Sequence, residues 1–133
     1  MIIVVDSSAI AALLIGGGDD GEWAERAIAG HTLAAPHLLP VEVSNVLRRA
    51  ELTGALPPAI AALAHADLLD LPITLYPFDP LAERIRALRQ TVTAYDAWYV
   101  ALTEALDASL VTVDHRLAQS PGPTCAFMTP PKR

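Results

Sequence analysis

Met1-Ile2-Ile3-Val4-Val5-Asp6-Ser7-Ser8 is the stretch from which the fold is read. Its four consecutive apolar residues, all β-branched, suit a short strand buried on both faces. Asp6 stops the run with a carboxylate, and Ser7 or Ser8 can cap the helix begun by SAIAALLI. A buried strand that runs straight into a helix is the first half of a βαβ unit. The same phrase recurs later, where SLVTV (109–113) leads into Asp114 and a short helical segment.

Between these two phrases strands and helices alternate. Asp19 or Asp20 caps a helix over GEWAERAIA that stops at Gly30. TLAA (32–35) reads as a second strand, broken by Pro36, and Pro40 fits the first turn of a long helix through Arg49 and Leu52 that ends at Gly54. Pro57-Pro58 opens PPAIAALAHADLLDL, which ends near Pro72, and ITLYPF (73–78) is a third strand. Asp79-Pro80 caps the Arg-rich LAERIRALRQ, Thr93 caps the apolar AYDAWYVALTEAL, and CAFM (125–128) is a fifth strand candidate after SLVTV. The pattern predicts an α/β fold: a three-layer α/β/α sandwich around a parallel sheet of four to five strands. Ligands of such sheets bind beyond the carboxyl ends of the strands, where Asp6 and Asp114 are expected to project.

Composition narrows the function classes. With 133 residues, no repeat and no linker-like tract, the expectation is one domain over 1–133. Hydrophobic residues make up 53% and charged residues 18%, with a mean hydropathy of +0.37, which excludes a disordered chain. No apolar run approaches the ~18 residues of a spanning helix, and the N-terminus lacks the basic segment of a signal peptide, so a cytoplasmic, non-membrane protein is expected. A single cysteine, Cys125, excludes an internal disulfide and a cysteine-based zinc cluster. Gly16-Gly17-Gly18 lacks the following GK[ST] of a phosphate loop. The net charge of −6 argues on its face against nucleic acid, yet eight of the nine basic residues are Arg, the better residue for fixing a phosphate. Carboxylates gathered in one site would account for part of the acidity, and a bound divalent cation would reverse its local sign.

Four acids are poorly placed for mere solubility. Asp6 and Asp114 close apolar strands, while Glu42 and Asp96 sit in the first turns of helices, edging their apolar faces. Each alone has an ordinary explanation: a favourable helix dipole, a turn, or for Thr93-x-x-Asp96 a capping box with Asp in place of Glu. Together, four converging carboxylates would repel one another, and a hard divalent cation resolves the repulsion; Mg²⁺ and Mn²⁺ prefer carboxylate and water oxygens.

The segments VVDSSAI, PVEVSNVLRR, TAYDAWYVALTEAL and LVTVDHRLA resemble, in order, the four acidic motifs of the PIN domain in its VapC-type toxin branch. The resemblance spans residues 2 to about 128, and TAYDAWYVAL and LVTVDHRLA are its most specific stretches. It implies a PIN-like sandwich, a Mg²⁺- or Mn²⁺-dependent endoribonuclease acting on RNA, a homodimer, and a cognate antitoxin whose tail enters the active-site groove. By matched position it implies Asp6, Glu42, Asp96 and Asp114 as the catalytic and metal-binding acids, with Ser8, Asn45 and Thr112 as polar residues beside them. In-line attack by water, leaving a 5′-phosphate and a 3′-hydroxyl, is the chemistry the resemblance suggests.

His31, His37 and His65 read as structural or solvent-facing, and His115 adjoins Asp114. Arg48, Arg49, Arg84, Arg86, Arg89 and Arg116 are phosphate-contact candidates, Arg116 foremost; the alternative is a solvated face with pairs such as Glu83–Arg86. Trp98, Tyr95 and Tyr99 read as core residues before base-stacking ones. Two competing functions stand beside the nuclease. A haloacid-dehalogenase-type phosphotransferase wants Asp-x-Asp, but position 8 is Ser and the only lysine is Lys132. A PIN-like binding protein without nuclease activity is the non-enzymatic alternative, against which stands the presence of all four acids.

Overall fold

The computed structural model describes residues 1–132. Five parallel strands form one sheet: β1 (Ile2–Val5), β2 (Thr32–Pro36), β3 (Ile73–Tyr76), β4 (Ser109–Val111) and β5 (Ala126–Met128). They lie in the order β3-β2-β1-β4-β5. Helices α1 (Ser7–Ile15), α2 (Gly18–Ile28), α3 (Leu39–Leu52) and α4 (Pro58–Asp70) connect the first three strands. A single 3₁₀ turn at Asp79–Leu81, then α5 (Ala82–Ala87) and α6 (Ala94–Ala105), lead to β4, and α7 (His115–Ala118) leads to β5.

The strand order explains the layers. From β1 the chain winds outward through β2 to β3, then returns across β1 to add β4 and β5 on its other side. Right-handed crossovers place helices of the outward and returning halves on opposite faces. Accordingly α1 packs with α2, α3 and α4, while α6 lies across β1, β2 and β4. β1 is covered on both sides, and Val4 and Val5 are fully buried, as the unbroken apolar run requires. Ile10, Leu39, Val43, Val100, Leu110 and Val111 complete the innermost core with 0% exposure. Among the described residues no helix is long and apolar enough to cross a membrane.

Several local expectations are corrected. Asp6, not Ser7 or Ser8, caps α1: its backbone is extended and its Oδ1 accepts the Ala9 N–H at 2.9 Å. Gly17 caps α2 without a side chain, and Asp19 and Asp20 fall inside its first turn. The reason is the reversal between α1 and α2, which puts Gly16, Gly17 and Gly18 at φ of 70, 73 and 69°, a conformation glycine adopts at little cost. It brings the helices so close that a Cβ on Gly21 would stand 3.0 Å from the Ala12 carbonyl. Pro36 ends β2 from within the strand; its register partner is Tyr76, whose carbonyl accepts from the His37 N–H instead. The strand over 73–78 stops at Tyr76, before Pro77. LAERIRALRQ is helical only over 82–87 and Asp79 makes no side-chain cap, because the preceding 3₁₀ turn already supplies the helix entry.

A polar clamp fastens the returning half. Arg84 reaches Glu104 through Nε at 2.6 Å and Nη2 at 3.0 Å, and Nη2 also donates to the Gly122 carbonyl. Glu104 accepts from the backbone and hydroxyl of Thr124, so α5, α6 and the loop before β5 meet on one carboxylate.

Candidate active site

The fold delivers the four acids to one end of the sheet. The strand order reverses at β1, between β2 and β4, and Asp6 and Asp114 follow the carboxyl ends of β1 and β4. That switch point is where open parallel sheets leave a crevice. Register locks the two sides: Val5 pairs with Val111, and the Asp6 N–H donates to the Val111 carbonyl at 3.1 Å. Glu42 comes from the first turn of α3 and Asp96 from that of α6, so four separate elements each contribute one carboxylate.

Asp6 is the most enclosed, at 6% exposure. Its Oδ1 accepts from the Ser8 hydroxyl at 2.6 Å and from the Ala9 N–H. Ser8 also lies 3.3 Å from the Thr112 hydroxyl and accepts the Val113 N–H at 3.1 Å, while Thr112 accepts the Asp114 N–H. Two hydroxyls thus tie the first turn of α1 to the segment after β4. Burial pushes the Asp6 carboxyl up to about 6; Ser8, Thr112 and the Ala9 N–H pull it down, and nearby Asp96 adds to the rise.

Asp96 is half-buried, and its backbone N–H donates to the Thr93 hydroxyl at 3.2 Å. That is half of a capping box; its carboxylate makes no return bond. Burial raises the Asp96 pKa first, Asp114 and Glu42 raise it further, and Arg116 opposes them. Asp96 is thus within electrostatic reach of each of the other three acids.

Glu42 is held by a residue that the sequence reading assigned to the core. The Tyr99 hydroxyl donates to Glu42 Oε1 at 2.6 Å, although Tyr99 itself is only 1% exposed. Burial first, then Glu42, drive the phenol far above its ordinary pKa, so it stays a proton donor. The available signal was that Tyr99 lies three residues after Asp96, on the same helix face, and a buried tyrosine hydroxyl needs a partner. Asp114 caps α7 through Oδ1, which accepts the Arg116 and Leu117 N–H groups and stands 3.7 Å from Arg116 Nε.

A common pattern runs through Asp6, Glu42 and Asp114. In each, the close hydrogen bonds from protein donors, at 2.6 to 3.4 Å, fall on a single carboxylate oxygen. The second oxygen, with the whole Asp96 carboxylate, remains for something else. Such a donor set, all oxygen and mutually repelling, fits a hard divalent cation. Among the described residues no three His, Cys, Asp or Glu side chains are drawn closely enough together to hold an ion by themselves. The fit is therefore to an ion that keeps much of its water, as Mg²⁺ does.

Other candidates separate. Ser8 and Thr112 join the network, whereas Asn45, one turn beyond Glu42, is exposed and its side chain makes no hydrogen bond to protein. Arg84 belongs to the Glu104 clamp. Arg116 is at the site, with its side chain 95% exposed. The Glu83–Arg86 pair does not form.

The PIN domain family model matches residues 3–122. The chain belongs to the PIN-domain family. Its VapC branch is equally plain: the protein is 40% identical to VapC ribonuclease Mb0985 of Mycobacterium bovis over 132 residues, covering 99% of this chain and 100% of that one. It is 42% identical to ribonuclease VapC1 of Mycobacterium tuberculosis over 123 residues, 92% of each chain. Among solved structures, PAE2754 from Pyrobaculum aerophilum superposes with a TM-score of 0.72 at 26% identity, covering 96% of this chain and 83% of that one. VapC20 of Mycobacterium tuberculosis, a toxin that cleaves the sarcin–ricin loop, gives 0.68 at 19% over 88% and 93%. VapBC2 from Rickettsia felis, bound to a DNA fragment from its promoter, gives 0.70 at 13% over 98% and 100%. The last two speak for the fold alone. This VapC-family chain therefore carries the PIN sheet; Asp6 and Asp114 follow two of its strands, and Glu42 and Asp96 sit in helical first turns.

Proposed function

We propose that this VapC-family ribonuclease is the toxin of a toxin–antitoxin pair, a single nuclease domain over 1–133 that hydrolyses RNA phosphodiester bonds with Mg²⁺ or Mn²⁺ at Asp6, Glu42, Asp96 and Asp114. The observation that carries this reading is the delivery of four carboxylates, from four elements, to the β1/β4 switch point, with Asp96 raised by burial first and then by Asp114 and Glu42. A divalent ion supplies two things there: a bound water acidic enough to ionise near neutral pH, and positive charge against the scissile phosphate.

The chain's own residues prepare that chemistry. Ser8 and the Ala9 N–H orient Asp6, Tyr99 orients Glu42, and the α7 backbone orients Asp114, so each offers a defined oxygen. Asp96, without a side-chain tether, is free to follow its ligand. Arg116 stands beside the acids, able to meet a substrate phosphate. No His is needed for the reaction.

The partners follow the same reading. A cognate antitoxin, paired as VapB is with VapC, would close the acid groove, and the protein would work in the cytoplasm as a homodimer. Exposed Val41, Leu52, Leu63 and Leu69, each more than 60% accessible, supply apolar surface for such contacts. Incubation with RNA and Mn²⁺, with and without EDTA, tests the activity: metal-dependent fragments with 5′-phosphates are expected. Cleavage that persists in EDTA refutes the metal mechanism, and RNA binding without cleavage at any metal would make the protein a PIN-like binder.

A further inference from the structure

One cleft, beside the turn that carries Asp96, takes no part in the hydrogen-bond network of the acids. It has a volume of about 430 Å³ and is lined by Phe78, Ile85, Arg86, Arg89, Val92 and Thr93 among others. Ile85 and Val92 are nearly buried and form an apolar floor. Phe78 is 41% exposed yet held in place, its ring edge-on to Trp98 at 5.4 Å and 89°. Thr93, which caps α6, stands three residues before Asp96, so the cleft abuts the turn that carries one of the acids. At 1.5 Å per residue that separation is about one helical turn.

The two arginines give the cleft its charge. In a chain of net charge −6, neither has a carboxylate within ion-pair distance among the described residues, unlike Arg84 and Arg116. Arg89 Nη1 donates to the Arg86 carbonyl at 3.1 Å, which holds one guanidinium against the short helix. A fixed aromatic ring, an apolar floor and two uncompensated guanidinium groups match the parts of one unpaired nucleotide. The base has a face for Phe78, and its phosphate an anion for the arginines. The volume lies in the range that takes a ligand of that size.

We propose that the Phe78–Arg86–Arg89 cleft is a nucleotide-binding subsite that receives an unpaired base of the RNA and its phosphate, next to the bond cut at the acids. It rests on the ribonuclease reading for its position along the substrate. For binding it stands alone, since the arginines and Phe78 act whether or not the acids are loaded.

The test uses the full chain and the double variant Arg86→Ala/Arg89→Ala, with Phe78→Leu as a second, milder change. All three substituted residues are exposed or partly so, and the fold should survive. Binding of a short fluorescent single-stranded RNA is followed by anisotropy in EDTA, and cleavage of the same RNA by steady-state kinetics in Mn²⁺. The double variant is expected to weaken binding and raise KM roughly tenfold, to leave kcat within about twofold, and to lower the salt slope of log affinity by about 1–2. Phe78→Leu is expected to weaken binding severalfold without touching the salt slope. Unchanged anisotropy in the variants overturns the subsite. A loss of kcat at constant KM overturns it too, as does a change of oligomeric state by light scattering, which would make the cleft a contact between copies. Wild-type RNA that binds but is never cut refutes the nuclease reading, while the anisotropy still decides the subsite.

Discussion

Asp6 joins two demands in one carboxylate: it caps α1 and it carries charge where the protein excludes water. Asn can still cap a helix through its side-chain oxygen. Asp6→Asn is therefore expected to keep the fold, remove a repelling charge and abolish RNA cleavage by ~100-fold or more; melting of the metal-free protein beside the cleavage rate checks both halves. The same carboxyl predicts a pH dependence. Its folded pKa, about 6, lies above the unfolded value near 3.8, so the folded state binds the proton more tightly. The associated stability is complete below about pH 4 and is lost as pH rises through about 6, a total of roughly 3 kcal/mol for the isolated shift. Melting of the EDTA-treated protein should thus fall from pH 4 to 7, Asp6→Asn should flatten the slope, and a bound divalent ion should restore the loss. Tyr99 is the residue-scale test of alignment. Tyr99→Phe removes the donor that fixes Glu42 and is expected to raise the Mn²⁺ concentration for half-maximal activity by about tenfold while the fold persists. Unaltered metal dependence would make the hydroxyl a structural bond only.

At the scale of elements, the Arg84–Glu104 clamp is the joint on which the returning half of the fold depends. Glu104 is held below the ordinary carboxylate range, first by Arg84 and also by Thr124. Its contribution is present at neutral pH and is lost as pH falls through its folded value. Because Arg84 is itself 37% exposed, the pair is partly screened, and Glu104→Ala is expected to cost about 1–2 kcal/mol, read as the shift in urea midpoint at pH 7 and shrinking in acid. How legible these elements were depends on what fixed them. IIVV, the Pro40 helix and the Thr93-capped helix were readable because hydrophobic pattern and end signals agree there. The α1/α2 junction was not, since its geometry comes from three glycines at positive φ and the close approach at Gly21. At 79–87, proline and a 3₁₀ turn compete with helical periodicity. In the candidate site the four acids stood out by position after strands and on helix edges. Tyr99, the splitting of the arginines and the exposure of Asn45 did not, because each depends on which side chain faces which across separate elements.

The whole molecule is a sheet wound out from β1 and back to β4, and its candidate site exists only where the two halves rejoin. The hydroxyl of Ser8 closes that seam to Thr112 and Val113, sequence separations of 104 and 105 residues. For a protein whose finished form attacks RNA, the order of manufacture then matters. A ribosome adding roughly 5–20 residues per second needs about 5–20 s to pass from the first half of the seam to the second. Throughout that interval the emerging chain holds Asp6 without β4, one of the two strands that flank β1, and without Asp114. A version stopped before Ser109 should therefore be harmless to the cell that makes it, measured as unimpaired growth on induction where the full chain arrests it. On the nuclease reading the topology would work as a safety catch, withholding the complete set of acids until the last parallel strands are nearly written.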